Sequence, residues 1–342
     1  MADGADALHD IRTTDYHAAG EPFRIVDAGT PDIPGPTVLA RREAAWAESV
    51  DVVRRMLCHE PRGHADMYGC FLVPPDDSGA DLGVLFWHKD GYSTACGHGT
   101  IALGAWAVES GRVTAVADGD TAVVIDVPSG RVTARVHCAG GRVQSVAFRN
   151  VASYVVARRV PVTGSFGSAR IEVAYGGALY AAVPAEALGL SVRDTMLPRL
   201  IHAGREIKRC VDGTEASQHP TDSRLSGIYG VVIYEELPDL AEGPHQRNVT
   251  VFADGQVDRS PCGSGTSARL ALLAEDGLVG VERVLTHESI VDTRFTGRIV
   301  DGASADPRRG IVTEVEGRAF RTGEHRFFLD RRDPLGSGFV LR

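Results

Sequence analysis

The sequence predicts an α+β protein of two pseudo-symmetric halves, each a mixed β-sheet wrapped around one central helix, with an active site in the cleft between them. Three observations predict it. The chain has 342 residues, more than a single core usually grows to. Strand-like stretches outnumber helical ones. One motif also occurs twice, 166 residues apart, as CGHGTIALGAWAVESG from Cys96 to Gly111 and CGSGTSARLALLAEDG from Cys262 to Gly277. In the two copies Cys, Gly, Gly, Thr, Ala102/Ala268, Ala105/Ala271, Glu109/Glu275 and the last Gly coincide. Phe86 and Phe252 stand ten residues ahead of the cysteines, and Gly130-Arg131 and Gly297-Arg298 follow. Self-similarity at one offset is the mark of a repeated unit.

Taken in order, REAAWAESVDVVRRML (42–57) carries a helical period. VLFWH (84–88) reads as a strand, CGHGT as a break, and the Ala- and Leu-rich stretch to Gly111 as a helix with a glycine stop. AVVIDVP, RVTARVH and VQSVAFR are strand-like. The polar, Pro- and Gly-containing ARRVPVTGSFGSAR marks a boundary near 155–170. Beyond it IEVAYGG, GVVIYEE and NVTVFA (248–253) read as strands, the second motif as break and helix, and ESIVDTRF and GIVTEVEG as strands. The expected division is 1–160, carrying Cys96, and 161–324, carrying Cys262. Each cysteine is then placed on a strand-to-helix turn at a helix N-terminus.

The composition, 43% hydrophobic and 24% charged, is that of a folded globular protein, and the net charge of −9 comes with no basic run. That excludes nucleic acid and anionic membrane as expected partners. The start, MADGADALHDIRTTDYH, has acids where a signal peptide needs bases. No stretch approaches 18 apolar residues, so a cytoplasmic protein is expected. The six cysteines form no CxxC pair, and free thiols are expected. For Cys58, Cys70, Cys138 and Cys210 burial as small hydrophobes is the plain reading.

A thiol at a helix N-terminus is favoured as the thiolate by the aligned peptide dipoles. The backbone N–H groups of such a turn bind anions. A substrate carboxylate bridging two such turns would place its α-carbon between two sulfurs. One thiolate would remove the α-proton and the opposite thiol would return one to the other face, with no metal and no cofactor. Water exclusion and donors aimed at the carboxylate must provide much of the rate. The bland alternative, an inert thiol in a packing turn, explains one copy better than two.

At these residues the chain resembles the proline racemase family, which includes proline racemases, 4-hydroxyproline 2-epimerases and trans-3-hydroxy-L-proline dehydratases. The matching segments are DYHAAGEPFRIV (15–26), ACGHGT (95–100), YGGALYA (175–181) and VDRSPCGSGTSA (257–268). The resemblance implies a diaminopimelate-epimerase-like fold, with residues of about 325–342 returning to the first half. It implies Cys96 and Cys262 as the acid/base pair and His98 and Asp258 as holders of the substrate amine. Gly97, Gly99, Thr100, Gly263, Ser264, Gly265 and Thr266 would then form the carboxylate-binding turns. His17, Glu21 and Arg24 match the first segment, where a structural ion cluster is the simpler reading.

A cysteine at position 262 favours inversion at Cα of proline or 4-hydroxyproline, since a dehydratase of this family typically has threonine there. IALG, GSGTSAR and LSGIYGVVIY resemble the dehydratase branch instead, so dehydration of trans-3-hydroxy-L-proline by one cysteine is the alternative. A zinc- or redox-dependent binding protein is a third reading, against which the wide cysteine separation speaks. A chain of this size also leaves a homodimer open.

Overall fold

The computed structural model describes residues 7–305, 308–330 and 332–341; the first six residues of the acidic start lie outside them. The chain runs through two series of elements with the same pairings. In the first, β1 (Ala7–Ala18) is antiparallel to β2 (Glu21–Ala28), and α1 (Val38–Ala44) and α2 (Glu48–Cys58) lead to β3 (Tyr68–Val73), parallel to β2. Next, β4 (Leu82–His88) runs antiparallel to β3 and to the short β5 (Gly91–Tyr92). After α3 (Gly97–Glu109), β6 (Gly119–Val127) lies parallel to β4, and β7 (Gly130–Ala139) and β8 (Arg142–Arg149) continue antiparallel.

A connecting strand, β9 (Tyr154–Gly164), precedes the second series. There β10 (Gly167–Tyr175) is antiparallel to β11 (Leu179–Pro184), and α4 (Leu197–Val211) leads to β12 (Ile228–Leu240), parallel to β11. β13 (Gly243–Phe252) is antiparallel to β12 and to β14 (Gln256–Asp258). After α5 (Gly263–Glu275), β15 (Leu285–Ser289) lies parallel to β13, and β16 (Arg294–Ala305) and β17 (Arg308–Gly317) continue antiparallel. The first strand of each series has one further neighbour. β9 pairs with β10, and β18 (Ala319–Asp330), from the far end of the chain, pairs with β1. The last strands, β8 and β17, pair with each other and join the two sheets.

The repeated helices sit where their composition sends them. The first eleven of thirteen residues are buried in both α3 and α5. α3 is apolar nearly all round and so must be surrounded; in α5 the buried Arg269 is held by Gln246 and the Tyr234 ring. α3 packs against β1, β2, β7 and β8, and α5 against β9, β10, β16 and β17.

Three expectations need correction. The helix expected over 42–57 is two helices, because the chain turns between Ala44 and Glu48, where Trp46 sets its ring edge-on to Tyr92 at 5.3 Å. Glu48 and Asp51 open the first turn of α2, where the helix dipole favours acids. α4 was not anticipated. Its apolar face (Leu200, Ala203, Ile207, Val211) has helical spacing, but Gly204 weakens the local signal. That glycine lets the helix close on the sheet, since a Cβ there would meet Val251 at 2.6 Å. Finally, Cys210 is exposed on α4, whereas Cys58, Cys70 and Cys138 are buried as expected.

Candidate active site

Cys96 and Cys262 are the N-cap residues of α3 and α5. The two helix N-termini abut: a Cβ on Gly97 would lie 2.5 Å from the Gly263 Cα, and one on Gly263 would lie 2.7 Å from the Gly97 Cα. Only glycine permits this approach, which brings two helix-dipole ends and two thiols together. The Thr100 and Thr266 N–H groups close the first helical turns on the Cys96 and Cys262 carbonyls. The N–H groups of Gly97, His98, Gly263 and Ser264 precede any helical acceptor and remain for a ligand. Among the described residues the buried Ser264 hydroxyl has no hydrogen-bond partner.

Around Cys96, the Gly99 N–H donates to Sγ at 3.2 Å, and both ring nitrogens of His98 are 3.5 Å from it. His98 is held edge-on by Tyr68 and Phe23. Its Nδ1 lies 3.9 Å from Asp258 Oδ2, so residues of both motifs face each other across the site. Asp258 in turn accepts from Ser260 N–H (2.8 Å) and Ser260 Oγ (2.7 Å), and Ser260 Oγ accepts from the Cys262 N–H (3.1 Å). Cys262 Sγ is 3.7 Å from the Tyr180 hydroxyl. The Thr100 hydroxyl donates to the Cys96 carbonyl (2.8 Å), and the Thr266 hydroxyl faces His287 Nδ1 (2.8 Å).

Burial governs the electrostatics. It pushes the Cys96 thiol well above its ordinary value; the Gly99 N–H opposes this, and the charges of Asp258 and Cys262 reinforce it. Cys262 is raised likewise, first by burial and then by Asp258, against the Gly265 N–H and Tyr180. The lowering expected from the helix N-termini is therefore outweighed, since removing a thiolate from water costs more than the dipole returns. Burial lifts Asp258 to about 6 and drops His98 to about 3, leaving a neutral imidazole.

Of the first-segment candidates His17, Glu21 and Arg24, among the described residues only Glu21 reaches this region. It is fully buried, accepts the Arg259 N–H at 2.7 Å, and is raised well above a normal carboxyl by burial and by Asp258. Arg24 is bound to Asp15 (2.8 Å), and His17 accepts from Gly20 and stacks on Phe320. Both are structural.

The thiols are each 5% exposed and do not line the neighbouring cleft of about 490 Å³, whose walls include Arg42, Ser93, Thr94, Ala178, Arg209 and Tyr229. Tyr68 links the cleft to the site, its hydroxyl lying 2.5 Å from Ser93 Oγ and 2.9 Å from the Tyr229 hydroxyl. Tyr68, Tyr180 and Tyr229, all held protonated by burial, were not singled out from the sequence. Tyr180 and Tyr229 lie within the family-like segments YGGALYA and LSGIYGVVIY, but nothing local marks Tyr68.

The proline racemase family model matches residues 13–340, and the chain belongs to that family. Among curated relatives, the trans-3-hydroxy-L-proline dehydratase of Bacillus cereus is 42% identical over 330 residues, 96% of this chain and 97% of that one. A 3-hydroxyproline 2-epimerase of Burkholderia multivorans is 42% identical over 334 residues, 97% and 98% of the two chains. A solved hydroxyproline epimerase from Agrobacterium vitis, with bound trans-4-hydroxy-L-proline, superposes with a TM-score of 0.92 at 31% identity, covering 99% of this chain and 96% of that one. The mixed α+β fold is that of these enzymes. Among the described residues no helix is long and apolar enough to cross a membrane.

Proposed function

We propose that the protein is a trans-3-hydroxy-L-proline dehydratase in which Cys96 removes the α-proton. This puts elimination ahead of the inversion of proline or 4-hydroxyproline suggested by the cysteine pair alone. The observation that carries the reading is the abutment of two thiol-capped helix N-termini through Gly97 and Gly263. Such a site suits a carboxylate bound by the free N–H groups and Ser264, with the ring amine between neutral His98 and anionic Asp258. The α-carbon is then flanked by the two sulfurs. The names of the relatives supply the hydroxyproline class.

In trans-3-hydroxy-L-proline the α-hydrogen and the 3-hydroxyl are on the same face of the ring. The thiolate that takes the proton therefore also faces the leaving group. The Cα–H electron pair becomes the C2–C3 double bond, and the C3–O bond breaks. The departing oxygen takes a proton from the Cys96 side, where the Tyr68 hydroxyl lies, and water leaves. The enamine tautomerises to the cyclic imine. Elimination needs one thiol; inversion needs both. The presence of Cys262, where a base on the second face is required, favours Cα inversion of 3-hydroxyproline as the second reading.

The test is incubation of the protein in deuterated water with L-proline, trans-4-hydroxy-L-proline and trans-3-hydroxy-L-proline separately, followed by proton NMR and polarimetry. The reading expects imine from the 3-hydroxy compound. Deuterium at Cα with a new diastereomer and no imine would move the protein to the epimerases. No α-proton exchange with any of the three would end the two-thiol reading for these substrates.

A further inference from the structure

The two cysteine turns are held differently. Cys96 lies in extended backbone, φ −154°. Cys262 has φ +64° and ψ 99°, a region that disfavours any residue with a Cβ and persists only where the surroundings impose it.

A buried polar clasp imposes it. Asn248 Nδ2 donates to the Pro261 carbonyl at 3.1 Å and to the Glu288 carbonyl at 3.2 Å. These two acceptors fix which end of the amide faces them. The same nitrogen is 2.8 Å from His287 Nε2, so its two N–H groups are shared among three acceptors; because an amide nitrogen cannot accept, the imidazole proton is left on Nδ1. That proton goes to Thr266 Oγ1 at 2.8 Å, and the threonine hydroxyl donates to Pro261 O at 3.3 Å. The peptide preceding Cys262 is thus gripped from two sides, and the plane of that peptide sets the cysteine's φ. Asn248, Thr266 and His287 are completely buried.

Among the described residues the first series has no such clasp. Leu82 pairs with Ile125 where Asn248 pairs with Ser289. Leu82 therefore stands at the place of Asn248, and Val123, two residues before Ile125, at the place of His287. Both are buried and apolar.

We infer that Asn248, Thr266 and His287 are positioning residues for Cys262. They hold the second thiol in a backbone it would otherwise leave, and so set the share of Cα inversion relative to elimination. The inference rests on the two-thiol reading above.

Asn248→Leu with His287→Val gives the Cys262 turn the side chains that stand near Cys96. The full chain and this double variant are labelled with iodoacetamide, and each cysteine peptide is followed by mass spectrometry. Labelling of Cys262 should slow at least about tenfold, because a relaxed turn moves Sγ away from the N-terminus of α5, whose dipole favours its thiolate. Labelling of Cys96 should stay within about twofold. A Cys262 rate within about twofold of the parent's, or one that changes in step with Cys96, overturns the inference. If the double variant does not fold, Thr266→Val replaces the hydroxyl by a methyl and should show the same Cys262-specific loss, while Thr266→Ser keeps the hydroxyl and should hold the parent rate. With trans-3-hydroxy-L-proline in deuterated water, inversion should fall at least about tenfold relative to elimination. A parent enzyme that neither exchanges nor eliminates would defeat the functional reading, and the labelling ratio would still decide the clasp.

Discussion

Around Cys96 the strands beneath the turn present Leu82, Val84, Val123 and Ile125; at the matching places around Cys262 stand Asn248, Thr250, His287 and Ser289, equally buried. One repeat holds its thiol on an apolar bed, and the other holds it on hydrogen bonds. An apolar bed is gained simply by removing surface from water. A buried polar bed adds only about 1 kcal/mol per bond over water, and costs about 1–3 kcal/mol for each group left unpaired. The second arrangement is thus no cheaper route to stability. What it adds is direction: hydrogen bonds fix a peptide plane, whereas packing fixes a volume. A repeated fold has given one cysteine a relaxed seat and the other an enforced one.

The largest expected effect separates the two thiols chemically. Cys96→Ser replaces the proposed base by a far weaker acid and should lower elimination at least about 10³-fold. Cys262→Ser should leave elimination within about tenfold while removing Cα inversion. Product analysis by proton NMR of both variants checks this, and equal losses of elimination would erase the proposed division of labour.

The next effect tests the beds. Leu82→Asn places an amide in the apolar seat, with Val123 where His287 gives Asn248 an acceptor. It should destabilise the fold by about 3–5 kcal/mol, through lost burial and an unpaired polar group, as read from denaturant unfolding. A loss below about 1 kcal/mol would mean that the first turn can build a clasp of its own.

The smallest effect concerns pH. Asp258, held at about 6 by burial, must be ionised to attract the substrate ammonium, and the raised thiols gain thiolate with every rise in pH. The logarithm of kcat/KM should therefore climb with a slope near two below pH 6 and near one above it. Asp258→Asn should abolish the break while leaving the rise. For folding the sign is opposite. A carboxyl raised by burial favours the native state most below its ordinary value, and that contribution is lost as pH climbs through about 6.

Much was legible in the sequence because it is written locally. The doubled CGxGT motif and the glycine that ends each helix depend on neighbours in the chain, and they were enough to place Cys96 and Cys262 on helix N-termini; the family resemblance brought His98 and Asp258 to one site. The break at Ala45–Ala47 and the helix Leu197–Val211 were missed for a tertiary reason: Trp46 finds Tyr92, and Gly204 finds Val251, only after folding. The protonation of the thiols was also beyond reach. Their place on a helix predicted thiolates, but depth in the fold decides how much water they lose, and that loss outweighs the dipole. Sequence by itself determined that two cysteines cap two like helices, because residue type and short spacing encode it. Tertiary structure alone decided how each thiol is held. The Cys262 clasp joins Asn248, Thr266 and His287 from three elements to Pro261 in the turn before α5, and only the pairing of β13 with β15 and the start of α5 brings them within hydrogen-bonding distance.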